Sequence, residues 1–174
     1  MKIALKITIF LLFFLHFGKL YSETKVAYID LDFVLNNSKI GKELSQKLEK
    51  KLATNNKKNE KIEKELKEEE KKIISQKNIL KKEEYEKLLR SYDEEVKKFN
   101  NIRKKRNEDF NKFRINSQKK ILETLNPIIT TFLKKESVQI LLQKEQIIFG
   151  DNKLDITEEI LNIFNDKHKK IKFD

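Results

Sequence analysis

The chain has 174 residues and carries 39 Lys and Arg against 28 Asp and Glu, so its formal net charge is +11. It contains no Cys, two His and three scattered Gly, which excludes a disulfide framework, a thiolate metal site and the glycine-rich loops that bind nucleotides. Charged residues make up 39% of the chain, and their spacing is that of exposed helix support. We therefore expect a protein that is not an enzyme and that holds no cofactor or metal.

The amino-terminal segment, residues 1–22, is predicted to be a cleavable signal peptide. It begins with Lys2 and Lys6, continues with an apolar run from Ile7 to Phe17 and ends at Ser22, which is the layout of a secretory signal. The run is shorter than the roughly 18–20 residues of a spanning helix, and an uncleaved signal anchor is the alternative. Export to the periplasm would suit a chain without Cys. Without residues 1–22, which hold three Lys and no acid, the net charge is +8.

The first element after this segment is predicted to be a buried β-strand. Residues 26–31 form a short, nearly continuous apolar run rich in β-branched and aromatic side chains, which favours a strand of about six residues. Residues 33–35 are predicted to form a helical turn, and Ser38 is a plausible N-cap for the helix that follows.

Residues 38–118 are predicted to form a long helical hairpin. Apolar residues recur at a spacing of three and four from Leu48 to Leu80 and again from Tyr85 to Phe113. A single helix from Ser38 to Asn126 would extend roughly 130 Å at 1.5 Å per residue. Two antiparallel arms with a tip near residues 75–82 are favoured, because each half carries one apolar stripe that the other can cover.

Polar residues interrupt the predicted seam between the two arms. They are Asn55, Asn59, Glu69, Gln76, Arg103 and Arg106. These interruptions should lower the stability of the coiled coil and leave the arms flexible. One interpretation is a solvated coiled coil with no further meaning. The other is a pair of arms that bend around an object of variable shape.

The carboxyl-terminal part, from Lys119, is predicted to complete a small body with residues 23–37. It begins with an apolar helix in which Asn126-Pro127 either kinks the helix or starts a new one. Residues 138–149 are predicted to form a β-hairpin, and Asp155 or Thr157 to cap a last helix with an apolar stripe at Ile160, Leu161, Ile163 and Phe164. A three-stranded sheet of this size is marginal alone and would gain from oligomerisation.

These parts together resemble the Skp (OmpH-like) periplasmic chaperones. The resemblance is carried by the opening KVAYIDLDFVLNNSKIGKEL, the long Lys- and Glu-rich hairpin and the closing DITEEIL. It implies an α+β, predominantly α fold in which the coiled-coil hairpin projects from a small β-body that trimerises. The predicted body and trimer core comprises Val26, Tyr28, Ile29, Leu31, Val138, Ile140, Leu142, Ile147 and Phe149.

The resemblance also implies an ATP-independent holdase that binds unfolded outer-membrane β-barrel proteins in a cavity between the arms of a homotrimer. The positive charge would attract acidic clients and an anionic membrane surface, and lipopolysaccharide is a further partner that the resemblance suggests. The candidate client-binding residues are Ile62, Leu66, Ile73, Ile74, Ile79, Leu80, Tyr85, Leu88, Tyr92 and Phe99. Each of them could instead pack within the seam of the hairpin.

Two other functions are compatible with the sequence. A structural coiled-coil protein of the envelope would be favoured by an uncleaved anchor. A nucleic-acid-binding protein is suggested by the basic run from Arg103 to Arg106 and the net positive charge. Acidic residues interleave with the basic ones and export separates the chain from nucleic acid, so we expect no nucleic-acid partner.

Overall fold

The computed structural model describes residues 24–173, so the predicted signal peptide at residues 1–22 lies outside the described part of the chain. Long helices dominate this part, with one short strand near each end. In chain order the elements are β1 (Val26–Ile29), α1 (Leu31–Asn37), α2 (Lys39–Gln76), α3 (Lys82–Lys135), β2 (Ile140–Gln143) and α4 (Thr157–Lys167). Two single 3₁₀ turns, Lys144–Gln146 and Asn152–Leu154, connect β2 to α4.

Helices α2 and α3 form the predicted antiparallel hairpin. Helix α2 has 38 residues and α3 has 54, and residues 77–81 between them form a turn that lies within the predicted tip. Contacts between the two helices, such as that of Lys51 with Phe113, place the start of α2 beside the later part of α3. The α+β, predominantly α fold class is confirmed. We refer to residues 38–118 as the arm and to the remaining described residues as the body.

Helix α3 does not end at Pro127, so the alternative of a new helix starting there is wrong. Pro127 lies inside the helix, which continues to Lys135. Proline removes one backbone hydrogen bond. The buried stripe continues in register across it, with Ile121 and Leu125 before the proline and Ile128 and Ile129 after it. Burial of this stripe holds the helix together, so one helix belongs to both the arm and the body.

The two strands form a parallel pair, and the predicted β-hairpin at residues 138–149 is wrong. Strand β2 pairs with β1 in a register that joins Val26 to Ile140 and Ile29 to Gln143. On the other edge of β1, the N–H of Ile156 donates to the carbonyl of Tyr28 at 3.0 Å. Residues 155–156 therefore lie where the sheet was predicted to have a third strand, whereas β2 runs into a 3₁₀ turn at Lys144–Gln146 and residues 147–149 form no strand.

The core of the body is small and draws on every helix. Val34, Leu125, Ile160 and Phe164 are completely buried in it. The apolar stripes that the sequence predicts for the last helix and for the end of α3 face this cluster. Phe132, Leu133 and Ile163 are only partly buried at its edge. The core therefore lies at the junction of arm and body.

The start of α2 is fixed by Ser38 and Gly41. As predicted, Ser38 is the N-cap, and its hydroxyl accepts a hydrogen bond from the N–H of Gly41 at 3.0 Å. A Cβ atom at Gly41 would lie 1.6 Å from the carbonyl oxygen of Leu35. Only glycine lets α1 and α2 approach so closely, and the sequence pattern did not reveal this role.

No helix within residues 24–173 combines the length and the hydropathy that a membrane span requires.

Candidate functional site

The structure places the ten candidate client-binding residues of the arm in three environments. Leu66, Ile73 and Phe99 are buried. The half-buried residues are Ile62, Leu80, Tyr85, Leu88 and Tyr92. Ile74 and Ile79, next to and within the tip, are 61% and 78% exposed. Most of the candidates therefore pack in the seam of this chain, and their contact with a client stays a prediction.

Three apolar side chains of the arm are exposed where the sequence did not predict it. Leu52 is 47% exposed and Leu89 is 42% exposed, although both belong to the two apolar runs, Leu48 to Leu80 and Tyr85 to Phe113, that predict the seam. Ile115 is 56% exposed and belongs to neither predicted set. A straight helix has 3.6 residues per turn, so a strict seven-residue repeat gradually rotates away from the partner helix. At this level of the arm, Leu88 therefore faces the seam in place of its neighbour Leu89.

The polar residues of the seam bind one another across the hairpin. The Nη1 atom of Arg106 donates to the Oδ1 atom of Asn59 at 2.6 Å. Arg103 lies 3.7 Å from the carboxylate of Glu63, and both of these side chains are about half exposed. The basic run is therefore partly engaged within the arm.

A pair of carboxyl groups occupies the outer half of the seam. Burial raises the pKa of Glu69 above its usual range, and a hydrogen bond with Glu95 together with repulsion from its charge raises that pKa further. Lys72 acts in the opposite direction. Burial also raises the pKa of Tyr92, with smaller contributions from Glu70 and Glu69. When Glu69 and Glu95 are both ionised, the seam holds like charges close together, which weakens the arm at this level.

In the body, Asp155 connects three segments of the chain. Its carboxylate accepts hydrogen bonds from the N–H and the hydroxyl of Thr157, and the Nζ atom of Lys144 lies 2.7 Å from it. The Thr157 hydroxyl in turn accepts from the N–H of Asp30 at 2.9 Å. Burial opposes ionisation of Asp155, but the bonds from Lys144 and Thr157 outweigh it and lower the pKa of Asp155. The prediction that Asp155 or Thr157 is the cap of this helix is wrong, because the N-cap of α4 is Ile156, which makes no side-chain cap hydrogen bond. Asp155 instead stabilises the start of α4 from the residue before the N-cap, by accepting from the N–H of Thr157.

The predicted body core is only partly buried within one chain. Tyr28 and Ile29 are buried, and Val26, Leu31, Val138 and Ile147 are half-buried. Ile140, Leu142 and Phe149 are 44%, 40% and 93% exposed, so they do not belong to the core of the single chain. Leu141 packs against that core instead. Because side chains alternate along a strand, this shift of one residue turns Ile140 and Leu142 outward.

This arrangement of a long hairpin on a small body extends over nearly all of the described chain, and it coincides with a known family. Residues 25–164 match the model of the family described as outer membrane protein (OmpH-like). The chain belongs to the OmpH-like family. The match runs from the residue before β1 to Phe164, so it contains the whole arm and ends within α4.

A solved OmpH-like structure has the same fold. It is a protein from Caulobacter crescentus that its authors describe as a candidate outer membrane chaperone (OmpH-like). The two chains superpose with a TM-score of 0.79 at 16% sequence identity, over 88% of this chain and 90% of the other. A comparison with curated protein sequences gives no significant match. The structural likeness establishes the shared architecture of arm and body.

Proposed function

We propose that this OmpH-like protein is an ATP-independent periplasmic holdase that binds unfolded outer-membrane β-barrel proteins between its helical arms. The observation that carries the proposal is the arm itself, about 57 Å long at 1.5 Å per residue along the 38 residues of α2, with a polar seam that weakens it. Membership of the family supports a chaperone role. The fold that the chain shares with the Caulobacter protein agrees with that role.

The cavity in this proposal requires more than one copy of the chain. We propose a homotrimer whose bodies associate through apolar side chains that a single chain leaves exposed. Ile140 and Leu142 lie on the outer face of β2, and Phe149 projects from the following loop. Exposed apolar groups of this size mark surfaces that a partner covers. Three arms would then project from one joined body.

Client binding in this mechanism combines weak apolar contacts with long-range attraction. Ile74 and Ile79 present apolar surface near the tip, and neighbouring basic residues such as Lys77 and Lys81 are exposed. Many weak contacts suit an unfolded chain, because no single ordered surface has to match. The half-buried residues of the seam join these contacts when the arm bends.

Aggregation of a denatured β-barrel protein tests the proposal. The exported protein, residues 23–174, is mixed with a client diluted from urea, and light scattering is recorded without ATP. We expect suppression at about one trimer per client. An Ile74→Ser/Ile79→Ser double variant should need at least about twofold more protein, whereas Asn78→Ser, at the same tip, should behave as wild type. Unchanged scattering at a stoichiometric amount of trimer would refute the holdase function.

A further inference from the structure

The chain continues beyond α4 as a short tail that returns to the base of the arm. Among the described residues, the last backbone hydrogen bond joins the N–H of His168 to the carbonyl of Phe164 at 2.9 Å. Beyond it, Ile171 and Phe173 are half-buried and pack against the core cluster, while the lysines between and before them are exposed. We call residues 168–173 the tail.

The tail lies between the two helices of the arm. Phe173 lines a cleft with Asn116, Ser117 and Lys120 of α3. From α2, the Nζ atom of Lys47 lies 5.0 Å from the centre of the Phe173 ring, within the range of a cation–π contact. One side chain of the tail therefore touches both helices where the arm joins the body.

The hold on this tail is weak. At its start, His168 is half-buried and its ring lies 5.7 Å from that of Phe164. Beyond His168, the contacts are two half-buried apolar side chains and one cation–π contact at an exposed site. Segments with few buried contacts open locally at little free-energy cost. The family match ends at residue 164, so the tail lies outside the matched residues.

The tail also indicates the chemistry that its groove accepts. Ile171 and Phe173 are two residues apart and both pack inward, while Lys172 between them is exposed. Strands of membrane β-barrels carry the same alternation of apolar and polar residues along their length. An unfolded barrel protein therefore contains many copies of the pattern that this groove already holds.

We propose that the tail is an internal occupant of a peptide-binding groove at the arm base, and that a client segment with two apolar residues at alternate positions displaces it. This inference rests on the proposed holdase function. A tethered occupant has a local concentration in the millimolar range, which keeps the groove filled when no client is present. A client held by the arms reaches a comparable local concentration, so it competes with the tail where a free peptide would not.

Photo-crosslinking from the groove tests the displacement. The photoreactive residue p-benzoylphenylalanine replaces Asn116 in the exported protein, and crosslinked peptides are identified by mass spectrometry. Without client, we expect crosslinks to residues 171–173. With a saturating unfolded β-barrel protein, those crosslinks should fall at least about threefold while crosslinks to the client appear. Absence of the tail crosslink, or its persistence under a saturating client, would overturn the inference.

Substitutions in the tail provide the matched control. In an Ile171→Ser/Phe173→Ser variant, the client crosslink should appear at a client concentration at least about threefold lower than in wild type, whereas Lys172→Ser should leave that concentration unchanged. An unchanged concentration in the double variant would also overturn the inference. Light scattering of the same samples separates the two proposals. If aggregation is suppressed but the tail is not displaced, only the inference about the tail is refuted. If aggregation is not suppressed, the holdase function and the inference about the tail are both refuted.

Discussion

Gly41 holds α1 and α2 together by lacking a side chain. It is the third residue of α2 and is buried, and a Cβ atom there would meet the carbonyl oxygen of Leu35 at 1.6 Å. The obstacle is backbone, which cannot rotate away as a side chain would. The sequence pattern shows only a glycine near the start of the predicted arm, because the close approach depends on the orientation of two helices and leaves no local pattern.

Replacing Gly41 should therefore destabilise the protein even though alanine is the better helix former. The helical preference of Gly41→Ala favours folding by about 1 kcal/mol. Displacing the α1 carbonyl costs about 1–3 kcal/mol or more, as for an overpacked core. We expect a lower melting temperature by circular dichroism. Ser45→Ala, at an exposed position of the same helix, is the control and should change it little. An unchanged or raised value for Gly41→Ala would contradict the packing described.

Asp155 makes the stability of the body depend on pH. Its pKa is lowered in the folded protein, so its contribution is complete above the pKa of an unfolded Asp and is lost as the pH falls through the lowered value. Asp155→Asn should lower the stability at pH 7 by about 1 kcal/mol, because hydrogen bonds to a charged acceptor are lost.

The difference in stability between Asp155→Asn and wild type should become smaller as the pH falls below 4. Thermal unfolding at a series of pH values measures this difference. The control Asp109→Asn, at an exposed position of α3, should follow wild type throughout. A difference that is constant with pH would show that the Asp155 charge does not stabilise the body.

At the scale of the elements, apolar spacing was sufficient to predict the arm. Two stripes of comparable length separated by a polar stretch indicated two antiparallel helices, and Leu66, Ile73 and Phe99 are buried as a seam requires. The spacing could not show which of two adjacent residues, such as Leu88 and Leu89, faces the seam. It depends on how the helices wind about each other over many turns.

The sequence pattern also could not predict which strand pairs with β2, for a different reason. Its partner β1 lies more than 100 residues earlier in the chain, with Val26 opposite Ile140. A local alternation of apolar residues identifies a strand and favours the nearest possible partner, here the segment at 147–149. The true partner depends on how the arm returns the chain to the body, and the arm is too uniform for its sequence to show this.

The carboxyl pair in the seam should make the outer arm sensitive to pH. The pKa of Glu69 is raised in the folded protein, so its ionisation destabilises the arm as the pH rises through the raised value. Glu69→Gln removes one charge of the pair. We expect it to slow amide hydrogen exchange in residues 62–100 about two- to fivefold at pH 7.5.

At pH 4 the effect of Glu69→Gln should largely disappear, because Glu69 is then protonated in wild type as well. In the control Glu60→Gln, at an exposed position of α2, the amide hydrogens of residues 62–100 should exchange at the wild-type rate at both pH 7.5 and pH 4. Equal exchange of Glu69→Gln and wild type at pH 7.5 would mean that repulsion from Glu95 does not weaken the arm.

At the scale of the whole molecule, the small core predicts association. The buried cluster joins five elements but contains a single aromatic side chain, Phe164, and several apolar residues of the body remain on its surface. The small size of the predicted sheet suggested association, and the resemblance to the Skp family implied a trimer. The identity of the surface could not be predicted in full, because β2 presents the face opposite to the one expected.

We expect the chain comprising residues 23–174 to have three times the mass of one copy in native mass spectrometry. A Leu142→Ser/Phe149→Ser variant should dissociate to monomers at micromolar concentration, since both side chains would leave an apolar interface. Ile115→Ser, which changes an exposed apolar residue of the arm, should remain trimeric. If the wild-type protein is a monomer, the proposed cavity between three arms does not exist. If the double variant is still a trimer, the interface does not involve Leu142 and Phe149.

Helix α3 crosses the boundary between arm and body without a break, and this gives the molecule a lever. Its 54 residues span about 80 Å at 1.5 Å per residue. A tilt of about 10° at the body displaces a tip about 60 Å away by about 10 Å. Conversely, a load at the tip exerts its greatest torque at the fulcrum around Ser117 and Ile121, where α3 enters the core. Phe173 lies beside this fulcrum, so a load at the tip would also act on the tail.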